Sequence, residues 1–252
     1  MPGLHFLGVS WHTWFRFKKG KGSDRVSTSR STPVLILDNG KCICDSGLIV
    51  KYVSEQYGDE FTSLYPNANV EEWEQLFHDK LGPDTRLLAY YHIMNDPNVI
   101  FGLCEKLVSP FQARMFRRAY PKIRPRLYTS LGVSEKRSIR SMSTIRSIFE
   151  EVNRALEDGR SFLTGDRFTA ADLTFASLAS PVLAVSHEDG YATILPDESA
   201  FSEEFSAFVD ECRSTLAGQF AQRLFREERG VRQIPYTFYN TTTASTLSVN
   251  PS

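Results

Sequence analysis

Two short stretches of the sequence combine residue types that can bind a small ligand. Asp45 and Ser46 directly precede a run whose apolar residues recur at helical spacing, so they stand where a helix begins. Unpaired backbone N–H groups and the helix dipole attract an anion at that end of a helix. Thr32 and Pro33 open the preceding apolar run. The plain alternative is that Asp45 is an ordinary helix cap and that Thr32-Pro33 only begins a strand.

A β-hairpin and a helix are predicted around these residues. Residues 34–37 form a short apolar run typical of a buried strand, and residues 42–44 return as a second strand. The sequence Asp-Asn-Gly-Lys at 38–41 between them predicts a tight turn, because Asn and Gly tolerate a positive φ. A helix follows from Ser46, and Gly58 is predicted to close it as a C′ residue. At the N-terminus, residues 4–11 fit a single strand.

The sequence from residue 70 to about 230 has helical periodicity almost throughout. An interruption is expected at Gly82-Pro83, because proline lacks the N–H that a helix interior needs. Capping signals precede Pro97 and Pro110. The most amphipathic helix is predicted at 135–157, and two more helices at 199–216 and 218–229. The predicted apolar face of the 135–157 helix consists of Ile139, Met142, Ile145, Phe149, Val152 and Leu156.

A further helix is predicted to begin at the sequence Thr169-Ala-Ala-Asp172. The carboxylate of Asp172 can reach back to the N–H of Thr169, and the Thr169 hydroxyl can accept from the N–H of Asp172. Residues 173–183 carry almost no charge. We therefore expect this helix to be buried on most sides.

The composition excludes several classes of protein. A chain with 41% apolar and 23% charged residues does not fit intrinsic disorder, and four cysteines in 252 residues do not make a disulfide scaffold. A formal net charge of −1 argues against a dedicated polyanion binder. No apolar stretch approaches the roughly 18 residues of a membrane span. The histidines and cysteines show no metal-ligand spacing, so no metal site is predicted.

The two motifs together resemble the glutathione S-transferase family. The stretch from Thr32-Pro33 through the hairpin to Asp45-Ser46 looks like the second half of the family's thioredoxin-like N-terminal domain. The later stretch 162–173 resembles the capping box of a buried helix in its all-α C-terminal domain. The resemblance covers roughly residues 30–230. It implies an α+β protein of two domains, with a partial thioredoxin-like α/β domain at 1–58 and an all-α helical bundle at 70–230. Residues 231–252 are rich in Thr, Ser and Asn, which predicts a flexible tail.

The resemblance also implies which residues bind glutathione, the co-substrate. The backbone of Thr32 would hydrogen-bond the cysteinyl part of glutathione as an added strand does, and Pro33 would be the proline that the family keeps cis. Ser46 would receive the γ-glutamyl carboxylate at the helix N-terminus, and Asp45 would meet the α-ammonium. No other cofactor is implied.

The sequence departs from the family pattern in the segment that would carry the residue activating the glutathione thiol. The family activates the glutathione thiol with a Tyr, Ser or Cys between its first strand and first helix. Only 31 residues precede Thr32, and residues 12–31 lack helical periodicity, so there is no room for that unit. Ser10 and Thr13 are hydroxyls in this region, but no catalytic residue is assigned. A truncated sequence and a genuinely non-catalytic domain both stay open.

Two charge bands stand out in the helical part. Ten basic residues and one acid lie between Arg114 and Arg146, and eight acids without a single Lys or Arg lie between His187 and Glu211. We expect the basic band to pair across the bundle with the acidic band, rather than to bind nucleic acid. The aromatic residues Trp73, Phe77, Tyr90 and Tyr91 fit a core better than the lining of an acceptor pocket.

The leading hypothesis is therefore a glutathione transferase-like protein that joins the glutathione thiolate to a hydrophobic electrophile. The alternative hypothesis is a non-catalytic binding or scaffold module with the same fold, and a weaker one is an unrelated helical interaction domain. Glutathione and a hydrophobic small molecule are the expected partners, homodimerisation fits the family, and neither nucleic acid nor a membrane is expected. A cytoplasmic location is expected, with organelle import as the alternative because the first acidic residue is Asp24.

Overall fold

The computed structural model describes residues 34–39, 41–58, 63–186 and 196–229, together with two short strands at 5–6 and 9–10. In this part the chain is mostly helical, with two small antiparallel hairpins. This confirms the coarse prediction of a small β portion followed by helices. The division into two domains stays a prediction, since the expected tail and residues 59–62 of the expected boundary lie outside the described residues.

The two hairpins are short. Strands β1 (His5–Phe6) and β2 (Val9–Ser10) pair with each other, so the prediction of one strand over 4–11 is wrong. Strands β3 (Leu35–Ile36) and β4 (Cys42–Ile43) form the predicted second hairpin.

The turn between β3 and β4 is held by local hydrogen bonds. The N–H of Leu37 donates to the carbonyl of Lys41 at 2.9 Å, and the side chain of Asn39 accepts from the N–H of Lys41 at 3.0 Å. The expectation of a buried strand is wrong for Ile36, which is 56% exposed. A two-stranded hairpin covers only one of its faces, because successive side chains point to opposite sides.

Helix α1 (Ser46–Tyr57) begins and ends at the predicted residues. Its last residue is followed by Gly58, whose φ of −82° is extended and not the left-handed value expected for a C′ glycine. The reason for glycine here is close approach: a Cβ on Gly58 would lie 2.3 Å from the carbonyl oxygen of Ser54. The N–H of Gly58 donates to that same carbonyl at 2.8 Å, which closes the helix.

Most of the remaining helices begin at a capping side chain. Asp96 and Ser109 cap their helices as predicted, and Ser134, Ser202 and Thr215 cap three others. The helix predicted at 199–216 is confirmed with narrower bounds, and the one predicted at 218–229 is confirmed but begins and ends two residues earlier. Residues 198–200 form a separate 3₁₀ turn. The helices are α2 (Ala68–Leu76), α3 (Gly82–Asn95), α4 (Pro97–Leu107), α5 (Pro110–Leu131), α6 (Glu135–Leu156), α7 (Ala170–Leu183), α8 (Glu203–Ser214) and α9 (Leu216–Glu227).

The interruption predicted at Gly82-Pro83 is a π-helical turn at Phe77–Leu81. The N–H of Gly82 donates to the carbonyl of Phe77, five residues back, and α3 then continues through Pro83. Gly82 also lets α7 approach closely, since a Cβ there would lie 3.2 Å from the side chain of Leu178. The extra residue of the π turn thus accommodates a proline inside an otherwise continuous helical run.

Helix α7 lies at the centre of the main core. Its residue Phe175 is fully buried and contacts Phe77, Phe149 and Phe220, with ring centroids 5.1, 5.6 and 6.1 Å away. Helices α2, α3, α8 and α9 all pack on α7. The prediction that this helix is buried on most sides is confirmed.

The buried face of α6 differs from the prediction at its first turn. Met142, Ile145, Phe149 and Val152 are buried as expected, but Ile139 is 56% exposed. The inward face passes through positions 138, 141, 145, 148 and 152, and small Ser138 and Ser141 occupy its first part. Apolar periodicity alone missed these serines, because it counts only apolar residues.

A second, smaller core lies between α3, α4 and α5. Tyr120 is buried there, its ring 5.3 Å from that of Phe101, and its hydroxyl donates to the carbonyl of Met94 at 3.0 Å. Arg124 donates to the same carbonyl at 3.3 Å. These contacts hold one side of α5 against the end of α3.

Asp172 is a fully buried carboxylate at the start of α7. It accepts hydrogen bonds from the N–H of Leu163 and from both the N–H and the hydroxyl of Thr169, each at 2.8 Å. The predicted reach back to Thr169 is therefore confirmed. Burial raises the pKa of Asp172, and the bonds from Leu163 and Thr169 oppose that shift.

Replacing Asp172 with Ala should destabilise the protein by about 2–4 kcal/mol, because two buried backbone N–H groups lose their acceptor. Equilibrium unfolding in urea measures this loss. Asp166→Ala is the matched control, since Asp166 is exposed in the same connection and makes no hydrogen bond with the described residues. Equal free energies of unfolding for the two variants would contradict the role given to Asp172.

His92 joins α3 to α8 in a largely apolar setting. Its Nδ1 lies 3.1 Å from the Ser202 hydroxyl, and its ring stacks on Phe205 at 4.5 Å. Its Nε2 is buried and has no hydrogen-bond partner among the described residues. Burial lowers the pKa of His92 from 6.5 to about 4. The neutral imidazole is therefore the form that the folded chain accommodates.

Because the unfolded chain takes up this proton more readily than the folded chain, stability should fall as the pH drops through 6.5 toward 4. We expect His92 to lower the free energy of unfolding by about 1–2 kcal/mol when the pH falls from 7 to 5. Urea unfolding at the two pH values measures it. His92→Gln should remove this part of the pH dependence, whereas His78→Gln, at an exposed position, should leave it unchanged; the opposite pattern would show that another group titrates.

Candidate functional site

The predicted ligand residues divide between described and undescribed parts of the chain. Asp45 and Ser46 are described, and they stand at the N-terminus of α1 as predicted. Thr32 and Pro33 lie outside the described residues, so their predicted contact with a ligand backbone stays a prediction. Of the two hydroxyls considered near the N-terminus, Ser10 lies in β2 opposite His5, and Thr13 is not described.

Asp45 is the N-cap of α1. Its Oδ1 accepts from the N–H of Gly47 at 2.9 Å and from the N–H of Leu48 at 3.2 Å. Its own carbonyl accepts from the N–H of Ile49 at 3.0 Å. The ordinary capping role that the sequence also allowed is therefore present, and it leaves Oδ2 as the Asp45 atom available to a ligand.

Ser46 is the first residue of α1, and its side chain is exposed. Asp45 satisfies the N–H groups of the next two residues, whereas the N–H and hydroxyl of Ser46 make no hydrogen bond with the described part of the chain. These two donors lie side by side at the positive end of the helix dipole. They match the two oxygens of a carboxylate.

Glu74 on α2 lies beside the same end of α1. A Cβ built on Gly47 would be 3.2 Å from Asp45 Oδ1 and 3.4 Å from Glu74 Oε1, so both carboxylates face one point on the helix. Sequence reasoning missed Glu74, because it lies 28 positions after Ser46 and no local motif joins the two. The only sequence signal was an acidic pair, Glu71 and Glu74, one turn apart on a predicted helix.

Hydrogen bonds hold Glu74 in place. Its Oε1 accepts from the hydroxyl of Tyr65 at 3.0 Å and from the hydroxyl of Thr174 at 3.4 Å. Burial and the neighbouring Glu74 raise the pKa of the Tyr65 phenol. Tyr65 therefore stays protonated at neutral pH and acts as a donor that fixes the Glu74 carboxylate.

One ion pair links α1 directly to α2. Lys51 Nζ lies 2.5 Å from Glu71 Oε1, and the hydrogen bond and charge of Glu71 raise the pKa of Lys51. The ammonium also lies 5.8 Å from the centre of the Tyr65 ring. Both members of the pair are exposed, so its effect on stability is small and it mainly orients the helices.

This arrangement can bind a zwitterion. The N–H and hydroxyl of Ser46 can receive a carboxylate, while Asp45 and Glu74 place negative charge where an adjacent ammonium would lie. The site's described residues include no thiol or hydroxyl whose pKa is lowered. Among the residues that the structure describes, there is also no group of three His, Cys, Asp or Glu that could hold a metal.

The cysteines and aromatic residues that could serve a reaction are mostly core. Burial raises the pKa of Cys104 to about 11 and that of Cys212 to about 12, so neither is a ready thiolate. Phe77 is fully buried and stacks on Trp73 at 5.3 Å. For Phe77 the expected core role is therefore confirmed.

Among the described residues, the predicted pairing of the two charge bands is confirmed for one residue of the basic band. Arg146 on α6 makes a bidentate pair with Glu211 on α8, with N–O distances of 2.5 and 2.7 Å. Other acids of the acidic band pair with cations outside the basic one, Asp197 with Lys106 and Glu198 with Arg213. No ion pair joins α5 to the described acids of this band, Asp197 to Glu211, and for the acids at 188 and 189, which lie outside the described residues, the pairing stays a prediction.

Comparisons with known proteins identify no family for this chain. A scan against models of protein families finds no match. A search of curated proteins finds no significant match either. Across the described helices, none is both long enough and apolar enough to cross a membrane.

Replacing Asp45 with Ala should lower the local stability of α1 by about 1 kcal/mol, because the N–H groups of Gly47 and Leu48 lose their cap. Amide hydrogen exchange within α1 measures the change. Asp45→Asn keeps a capping oxygen and should lower the local stability of α1 less than Asp45→Ala does. Ser46→Ala should leave the local stability almost unchanged, since the Ser46 side chain makes no capping bond. If Ser46→Ala opened the helix as much as Asp45→Ala, the assignment of the cap would be wrong.

Proposed function

We propose that this chain binds glutathione at the N-terminus of α1, as a protein of the glutathione S-transferase type. One observation carries the proposal: the N–H and hydroxyl of Ser46 make no hydrogen bond with the described residues, and the carboxylates of Asp45 and Glu74 both lie close to the next residue, Gly47. The γ-glutamyl end of glutathione is an α-amino acid, so its carboxylate and ammonium match these donors and acceptors. The hairpin that precedes α1 and the capped, buried helix α7 support the proposal through the resemblance.

Each residue has a defined part in this binding mode. The Ser46 donors bind the γ-glutamyl carboxylate, aided by the helix dipole. Asp45 Oδ2 and the carboxylate of Glu74 bind the ammonium, and Tyr65 keeps Glu74 oriented. In the same proposal the backbone of Thr32 pairs with the cysteinyl part, as the resemblance implies.

The proposed reaction is attack of the glutathione thiolate on a hydrophobic electrophile. The sulfur–carbon bond forms as the electrophile's leaving group departs with its electron pair, and the thiol proton passes to solvent. For this step the protein must hold the thiol and lower its pKa. No described residue near α1 is assigned to that task.

A non-catalytic glutathione-binding module is the second candidate. It is favoured because no residue described near α1 is assigned to lower the pKa of the glutathione thiol. The two candidates share the binding site and differ only in turnover. Incubation with glutathione and a chloronitrobenzene separates them, because only the enzyme releases chloride faster than glutathione does alone.

The binding site is tested by isothermal titration of the full chain with glutathione at pH 7. We expect Ser46→Ala and Glu74→Gln each to weaken binding about tenfold, because each removes a charge-assisted contact worth about 1.5 kcal/mol. Ser147→Ala, at an exposed serine of α6 away from the site, should bind as the unmodified chain does.

An analogue that lacks the α-amino group, glutaryl-cysteinylglycine, assigns the ammonium contact. It should bind the unmodified chain about tenfold more weakly than glutathione does. In the Glu74→Gln variant that difference should shrink, since the partner of the ammonium is gone. Absence of saturable glutathione binding, or an undiminished difference in the variant, would contradict the proposed site.

A further inference from the structure

Helix α5 has an unusual charge for a chain that is nearly neutral overall. Its 22 residues include six Arg or Lys and no Asp or Glu, whereas the whole chain has a formal net charge of −1. An exposed helix ordinarily mixes both signs, because like charges on neighbouring turns repel one another. The absence of acidic residues on α5 therefore suggests that its positive charge has a function.

The cations of α5 belong to two groups. Arg117 and Arg124 face the protein: Arg117 pairs with Glu105 at 3.0 Å and lies over the ring of Phe101, and Arg124 lies 4.8 Å from the ring centre of Tyr128. The other four make no ion pair, hydrogen bond or ring contact within the described part of the chain, and all are exposed. These four are Arg114, Arg118, Lys122 and Arg126.

These four cations form one row. Each follows the previous one by four residues, which places neighbours about 6 Å apart along the axis and about 40° apart around it, so the four lie on one face about 120° wide. Phe111 and Met115 lie at the N-terminal end of the same row, and they are 68% and 56% exposed. We call this surface the outer face of α5, and it consists of Phe111, Arg114, Met115, Arg118, Lys122 and Arg126.

We propose that the outer face of α5 binds the surface of an anionic lipid bilayer. The cation row complements the phosphate and carboxylate groups of acidic lipids, and the helix, about 33 Å long, can lie flat on the membrane. Phe111 and Met115 enter the boundary between headgroups and acyl chains, as the apolar side chains of interfacial helices do. The proposal is independent of the proposed glutathione site and uses none of its residues.

The two exposed apolar side chains favour a bilayer over nucleic acid. A nucleic-acid backbone would satisfy the cation row equally well, because it also presents closely spaced phosphates. It offers no apolar layer for Phe111 and Met115, which are adjacent on the row and only one turn apart. A membrane surface accounts for both the charge and the apolar pair.

Vesicle flotation with the full chain tests the proposal. The chain should bind vesicles of phosphatidylcholine that contain phosphatidylserine, should not bind pure phosphatidylcholine vesicles, and should be released by high salt. Each cation near an anionic membrane raises the affinity about fivefold, so Arg114→Glu, Arg118→Glu and Lys122→Glu together should lower binding at least about 100-fold. All three side chains are exposed, so the fold should be kept, as circular dichroism can verify.

The matched control carries the same change of charge elsewhere. Lys80, Arg86 and Arg226 are exposed and make no ion pair with the described residues. Changing these three to Glu should alter vesicle binding by no more than about threefold, because they lie outside the row. An equal loss in both triple variants would mean that net charge alone drives binding, and would overturn the proposal.

The apolar pair decides between the membrane and a nucleic acid. Phe111→Ser with Met115→Ser should weaken binding to phosphatidylserine vesicles about tenfold, since two partly inserted side chains are lost, and Ile139→Ser should have no effect. Duplex DNA is tested in parallel. Failure to bind phosphatidylserine vesicles, or tighter binding to DNA that does not depend on Phe111 and Met115, would overturn the proposal.

Discussion

The buried carboxylate of Asp172 is the interaction on which the arrangement of the helices depends. It joins the connection at Leu163 to the start of α7, the helix around which the main core packs. The first residue of α7, Ala170, then donates its N–H to the carbonyl of Leu64, whose own N–H donates to the Ser54 hydroxyl of α1. These hydrogen bonds therefore connect the capped end of α7 to the C-terminal part of α1, at Ser54.

The position of Glu74 follows from the same constraint. Thr174, one turn into α7, donates to Glu74, and Tyr65 donates to it from the segment that Ala170 holds. The N-terminus of α1 thus meets a carboxylate whose orientation is set by α7. The position of Glu74 in the site therefore depends on the packing of the core, whereas the Asp45 cap depends only on residues of α1.

Local sequence patterns predicted the helices and hairpin, whereas features that depend on long-range contacts were missed. Capping residues such as Asp45, Ser109 and Asp172 act within three or four positions, so the sequence predicted them and the structure confirms them. Glu74 joins the site only through tertiary packing, which a single sequence does not encode in any motif. Ile139 was wrongly predicted to be buried, because the inward face of α6 begins with two serines. Gly58 was wrongly predicted to have a positive φ, because the reason for glycine there is its close approach to the Ser54 carbonyl.

The central proposal is that the N–H and hydroxyl of Ser46, which make no hydrogen bond within the described part of the chain, bind the γ-glutamyl carboxylate of glutathione. Amide chemical shifts of the ¹⁵N-labelled chain during a glutathione titration test this most directly, because they report on individual N–H groups. The account predicts a saturable shift that is largest at the amide of Ser46 and its immediate neighbours in α1. A titration that leaves the Ser46 amide unmoved, or that moves only residues remote from α1, would contradict it.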